Sequence, residues 1–299
     1  MKISLFYNHA TVLDYAYLDE HRGVVGNSYI VNAEFIGETD HEGVVYDFSY
    51  AKKKVKEIID RDVDHRLVVP MNILSHHDGL ISFEYKYGLE DKILGYQSPE
   101  EGVCEIPYNH ISRENLSAFI EDLIIKEMPD NIISVRITLE DEKLPTEAVK
   151  FHYSHGLKDH YGNCQRLFHG HSNTVEVEIN GERRPDFERH LATEVFSKNI
   201  HFAFWENVVN KEEIEAALND HLPNGRYEEC PDVHIRYEAS QGVFEGRVPG
   251  ELIYFMQDES TVENLSMEFA RYIKSNVSKN DIVKVRAFEG IGKGAITSL

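Results

Sequence analysis

The chain has 299 residues, 41% of them hydrophobic, and its 31 Lys and Arg stand against 52 Asp and Glu for a formal charge of −21. A field of that sign repels nucleic acid and anionic membrane surfaces, no apolar run approaches the roughly 18 residues of a membrane span, and MKISLFYNHATVLDY, broken by His9 and Asp14, does not read as a secretory signal. Three cysteines (Cys104, Cys164, Cys230) make no disulfide framework and fit a reducing, cytoplasmic setting.

From the amino terminus, YIVNAEF alternates with period two and reads as a strand, and the Gly-Glu after it marks a hairpin. Residues 47 to 61, DFSYAKKKVKEIIDR, place Phe48, Ala51, Val55, Ile58 and Ile59 at helical spacing with a basic outer face. A hairpin over ISFEYKYGLEDKILGY follows, then the helix ISRENLSAFIEDLI and the strand ISVRITLEDE. Beyond the polar EDEKLPTE the order recurs: strands in FHYSHGL and TVEVEI, the hairpin VHIRYEASQGVFEGRV, the helix ESTVENLSMEFARYI and the strand VKVRAFEG. Glu114 and Glu263 are 149 positions apart, as are Glu140 and Glu289, and VGNSYIVNAEFIGE (25 to 38) matches HGHSNTVEVEINGE (169 to 182) without a gap. The chain is a duplicated unit divided near Leu144-Pro145, into residues 1–145 and 146–299. Each unit is expected to be α+β, an antiparallel four-stranded sheet with helices on one face.

The chemistry concentrates in GNCQRLFHGH, residues 162 to 171. Residues two apart on a strand share a face, so His169 and His171 project together while Gly170 faces away and admits a neighbouring backbone. His155, ending the adjacent strand FHYSHGL, supplies a third imidazole. Three neutral imidazoles with one open position describe a catalytic zinc site, whereas two alone would be an ordinary polar strand. Cys164 lies five positions before His169; Arg166 and a bound cation would lower its thiol from about 8.5, while Cys104 and Cys230, without such company, read as structural. Glu114 and Glu263 sit at the third position of helices opened by Ser112 and by Ser260-Thr261, where a capping box is their expected role.

A Phe-x-x-x-His strand, a Cys shortly before His-Gly-His, Asp-Phe (Asp47-Phe48, Asp186-Phe187), Asp64-His65, the Thr-x-Glu-Asn helix start and a terminal Phe288-Glu289 together resemble the 6-pyruvoyltetrahydropterin synthase and 6-carboxytetrahydropterin synthase family, over both halves. The resemblance implies T-fold units assembling into an oligomeric barrel, a homo-oligomer. It implies zinc on His155, His169 and His171, and elimination of triphosphate from 7,8-dihydroneopterin triphosphate. By the same resemblance Cys164 is the general base, Asp64-His65 a proton-transfer pair contributed by a neighbouring unit, and Glu289 the anchor of the pterin ring with Thr261 beside it. Glu140 is the equivalent of Glu289 in the first unit, and His201, in Asn199-Ile200-His201, a remnant of the second unit's pair without its acidic orienter. Arg166 and Lys158 are the basic residues nearest the site for a triphosphate.

Neither half matches the family pattern alone. Aligning VLDYAYL with FHYSHGL puts Ala16 opposite His155, and Val25 and Asn27 fall opposite His169 and His171. The losses are complementary, which predicts one composite site with Asp64 and His65 facing Cys164 and the zinc, within a chain or between chains. The implied activity is a carbon–oxygen lyase forming the 6-carboxy product of a deazapurine (queuosine) pathway. The 6-pyruvoyl product and a non-catalytic zinc- or pterin-binding module are the alternatives.

Overall fold

A computed structural model describes residues 2–299. The first unit runs β1 (Ile3–Asp19), β2 (Gly23–Gly37), α1 (Phe48–Asp62), β3 (Leu67–Pro70), β4 (Ser75–His77), β5 (Leu80–Tyr87), β6 (Lys92–Pro99), β7 (Val103–Ile106), α2 (Arg113–Ile125) and β8 (Ile132–Glu140). The second runs β9 (Phe151–His155), β10 (His169–Asn173), β11 (Val175–Ile179), β12 (Glu182–Arg183), α3 (Pro185–His190), β13 (Asn199–Phe204), α4 (Lys211–Leu218), β14 (Gly225–Arg226), β15 (Val233–Ala239), β16 (Gly242–Val248), β17 (Ile253–Met256), α5 (Val262–Ser275), β18 (Val283–Phe288) and β19 (Gly294–Ser298). Among the described residues no helix is long and apolar enough to cross a membrane.

Local chemistry sets the helix starts. The Asp47 carboxylate accepts from the backbone N–H groups of Ser49 and Tyr50, and α1 buries Ala51, Val55, Ile58 and Ile59 while Phe48 stays 54% exposed. Ser112 and Thr261 cap α2 and α5 by accepting from the N–H groups of Asn115 and Asn264.

The sheets differ from the expected four antiparallel strands. In the first unit the order is β7-β3-β1-β2-β8, with β3 parallel to β1 and β7 parallel to β3. LVVP and VCEI, the four-residue runs that form β3 and β7, carry no sustained polar–apolar alternation to mark them as strands. The second unit splits its counterpart of β2 at Thr174. Its histidine half, β10, stays in the sheet β10-β9-β13-β17-β14, and β11 joins β12-β11-β18-β19.

The hairpins β5–β6 and β15–β16 leave their own units and pair with each other in the sheet β15-β16-β6-β5-β4. Beneath it one apolar core mixes Leu67, Phe83 and Tyr96 of the first unit with Phe168, Trp205 and Phe244 of the second. Tyr96 faces Gly246, flanked by Gly95–Arg247 and Gln97–Glu245. Counted back from Pro99, which ends β6, and from Pro249, which follows β16, Tyr96 and Gly246 are equivalent positions, so the pairing is two-fold within one chain. The equivalent glycines Gly26 and Gly170 meet as well: a Cβ on Gly26 would lie 1.8 Å from the Tyr153 carbonyl oxygen, and one on Gly170 would lie 2.6 Å from Gly26 Cα. Beside them the backbone N–H groups of Ser28 and Ser172 each donate to the other's Oγ at 3.2 Å. The halves meet as the subunits of a symmetric dimer do.

Candidate functional site

β9 and β10 pair with His155 directly opposite His169 and Tyr153 opposite His171. The three histidines are completely buried, and their candidate ligand atoms all lie within 4.8 Å of one another. His155 Nδ1 donates to the Ser260 carbonyl at 2.9 Å and His169 Nδ1 to the Arg166 carbonyl at 3.0 Å, which fixes both tautomers and leaves Nε2 bare. The Nε2 atoms of all three rings are buried without a hydrogen-bond partner. Burial first of all, with the neighbouring imidazoles, holds His155 and His169 well below the ordinary histidine range, in the neutral form that ligates metals. Three converging orphan nitrogens, two on rings backed by carbonyls and the third on a ring whose Nδ1 faces the Asp14 carboxylate, fit a divalent cation, since without one each would carry an uncompensated desolvation cost.

The first unit reaches this cluster through the turn between α1 and β3. His65, in the left-handed region at φ 55°, stacks on His169 with ring centroids 5.2 Å apart and presents its edge to His171 at 6.1 Å. Its Nδ1 is hydrogen-bonded to Asp64 Oδ2, and Asp64 Oδ1 accepts from the Asp14 N–H at 2.9 Å. The ligand atoms of His65, Cys164 and His169 again lie within 4.8 Å of one another. Burial alone would lower the His65 pKa, but the hydrogen bonds with Asp64 and Cys164 outweigh it and raise it to about 10. Asp64 and His65 therefore stand against the cysteine and the three histidines within a single chain.

Other predicted residues take different places. Glu289 follows β18, part-buried, in a turn where its N–H donates to the Lys293 carbonyl at 3.1 Å. Thr261 caps α5 next to Ser260, the residue that holds His155. Glu140 is exposed at the end of β8, opposite Ile30. His201 is set apart from the cluster: it is buried, its Nδ1 lies 2.9 Å from Ser154 Oγ, its ring packs edge-on to Phe168, and burial pushes it down to about 3. The Arg166 guanidinium is buried and donates to Gln241 Oε1 at 2.9 Å and to the Asp64 carbonyl at 3.5 Å, so the residue braces the site through Asp64 as well as through its own carbonyl on His169, while Lys158 is exposed. Cys104 and Cys230 are pushed up by burial to about 12 and about 11.

Strand register corrects two equivalences drawn from motif alignment. Gly26 pairs with Ala16 as Gly170 pairs with Ser154, so Tyr17, opposite Val25, stands at the position of His155, and Ala16 does not. Ala16 in turn faces Leu67 in β3 as Ser154 faces His201 in β13, which makes Leu67 the counterpart of His201 and Asn199 the counterpart of His65. A gap-free alignment of short motifs carries no signal for these slips; only the pairing across the sheet does.

Sequence reasoning missed Asp14. Its carboxylate is buried beneath Gly290, where a Cβ would come within 2.3 Å of Oδ1, and it accepts from Ser28 Oγ at 2.5 Å. Oδ1 lies 3.2 Å from His171 Nδ1, and Oδ2 lies 3.3 Å from Lys293 Nζ. Burial would push this carboxyl up, yet His171, Lys293 and Ser28 hold it well below the usual carboxylate range. The signal was present as a lone carboxylate inside the apolar run VLDYAYL.

Comparison with known proteins accords with the duplication. A family model described as 6-pyruvoyl tetrahydropterin synthase matches twice, over residues 5–146 and 144–298. A Pyrococcus abyssi protein named "Putative 6-carboxy-5,6,7,8-tetrahydropterin synthase" is 22% identical over 130 residues, covering 44% of this chain and 76% of its own. A Pyrococcus horikoshii protein of the same name is 25% identical over 139 residues, covering 46% and 82%. Among solved structures, 6-pyruvoyl tetrahydropterin synthase from Plasmodium vivax aligns at 20% identity and a TM-score of 0.38, over 48% of this chain and 94% of that one. Matched over residues 5–298 by two copies of one model, the chain belongs to the 6-pyruvoyl tetrahydropterin synthase family as a tandem form.

Proposed function

We propose that the chain is a zinc-dependent carbon–oxygen lyase that takes 7,8-dihydroneopterin triphosphate, expels triphosphate, releases the two outer side-chain carbons as acetaldehyde by retro-aldol cleavage, and forms 6-carboxytetrahydropterin. The observation that carries this reading is the meeting of Asp64 and His65 from one half with Cys164 and the three-histidine cluster from the other. The names of the Pyrococcus relatives support the 6-carboxy product.

His155, His169 and His171 would hold the zinc, which supplies Lewis-acid polarisation of the substrate's side-chain hydroxyls. Cys164 Sγ takes the carbon-bound proton as thiolate. His65, cationic and oriented by Asp64, stabilises the sulfur's negative charge before that transfer, gives its own proton as the carbon–oxygen bond to triphosphate breaks, and regains one from the Cys164 thiol, which restores the thiolate. The Glu289 carboxylate accepts two N–H groups from the guanidine-like edge of the pterin, with Thr261 at the pocket wall. Further copies of the chain would close the barrel, making the working particle a homo-oligomer.

The test is incubation of the full chain with zinc and 7,8-dihydroneopterin triphosphate, with triphosphate and product identified by mass. The His65→Ala variant should lose at least about 100-fold in rate, the scale of general acid–base catalysis, and His201→Ala less than about tenfold. No triphosphate release, or equal loss in the two variants, overturns the reading; a 6-pyruvoyl mass keeps the site and changes the product.

A further inference from the structure

The internal two-fold that builds the composite site also builds its mirror position, and there the chemistry differs. Tyr17, Val25 and Asn27 replace the three histidines, and Lys198, Asn199 and His152 stand at the places of Asp64, His65 and Asp14. A cavity of about 1050 Å³ opens beside this position, on the side of His152, Lys198 and Asn199, and is lined by both halves.

Its charge runs against that of the molecule. Arg22, Lys92, Lys150, Lys198 and Arg226 line it with only Glu90 and Glu251 in opposition, in a chain of net charge −21. Some of these cations are engaged: Lys92 with Glu251 at 2.6 Å, Lys150 with Asp141 at 2.9 Å, and Arg22 with Asp19 at 2.9 Å. Arg226 donates only to the Glu251 carbonyl, at 3.1 Å, and Lys198 makes no side-chain hydrogen bond or ion pair among the described residues. His152 registers the field: burial first, then Arg22 and Lys150, push it down to about 4. The wall also carries two buried polar atoms without partners, Tyr87 Oη, a donor, and Asn199 Oδ1, an acceptor.

We propose that this cleft is a second ligand site, which binds a polyphosphate, free or esterified to a head group bearing N–H donors, without a metal. Lys198 and Arg226 supply charge-assisted hydrogen bonds to phosphate oxygens, Tyr87 adds a hydroxyl donor, and Asn199 Oδ1 accepts from the head of an ester. Only a local reversal of sign admits a polyanion to a surface this acidic.

The test is calorimetric titration of the full, metal-loaded chain with inorganic tripolyphosphate and, separately, with GTP, at low ionic strength. Saturable binding is expected that Lys198→Glu weakens by at least about tenfold, the scale of one lost charge-assisted contact, and that His169→Ala, a change in the metal cluster, leaves in place. Lys198 is exposed, so its replacement tests the site without testing the fold. Tighter GTP than tripolyphosphate identifies an ester, and the reverse identifies the free chain. No saturable binding at millimolar concentrations, or binding abolished by His169→Ala and untouched by Lys198→Glu, overturns the proposal.

Discussion

Asp14 shows how much a single carboxylate does at the junction of the halves. It belongs to the first unit, yet it faces the back of a ring in the second unit's three-histidine cluster and is tied to Lys293 in the same unit as that ring. Partners of this kind orient ligating imidazoles and raise their basicity. Asp14→Asn keeps the shape and removes the charge, so zinc affinity measured by chelator competition should fall about 10- to 100-fold; unchanged affinity would reduce Asp14 to a packing role. Glu259, next to the residue that holds His155, is raised to about 7 by burial first and by Asp159. Because its folded pKa lies above the ordinary value, its contribution to stability is complete below that value and is lost as pH rises through about 7. Glu259→Gln, neutral throughout, should melt above the native chain at pH 8 and alongside it at pH 5. The same difference at both values would show that the group does not titrate as stated.

At the scale of elements, the joint is made by glycine. Gly26→Ala drives a Cβ into the Tyr153 carbonyl, part of a strand that cannot move without moving the histidines. It should cost about 3 kcal/mol or more, the upper range of overpacking, whereas Gly95→Ala, which meets Arg247 Cβ at an ordinary 3.4 Å, should shift the denaturation midpoint little. Comparable midpoints would mean that the joint yields. The elements also mark what was legible in the chain. His169 and His171 announced a shared face through period two, and the complementary losses in the two units announced the meeting of His65 with Cys164. The run that became β3 announced nothing, because a fully buried strand does not alternate, and VCEI, with Glu105 exposed among three buried residues, is too short to show a period. The hairpins were visible as hairpins, but their exchange between units was not, since each face is apolar whichever partner covers it.

For the whole molecule, the mixed core makes the halves dependent on each other. Residues 1–145 and 146–299 produced separately should each expose the apolar face of a hairpin and aggregate or remain partly unfolded, and co-expression should restore a one-to-one complex, read by size exclusion and circular dichroism. A half that melts cooperatively alone would refute this dependence. The crossing of β6 and β16 gives the pairing its direction. In a homodimer the residue on the axis meets its own copy, but here Tyr96 meets Gly246, its ring packing on Phe168 and its hydroxyl donating to the Leu167 carbonyl at 2.9 Å. A Cβ on Gly246 would already press within 2.9 Å of Phe168. Two tyrosine halves would overfill the seam and two glycine halves would leave it hollow, so each half discriminates against itself, and a lock and its key are cut into one polypeptide.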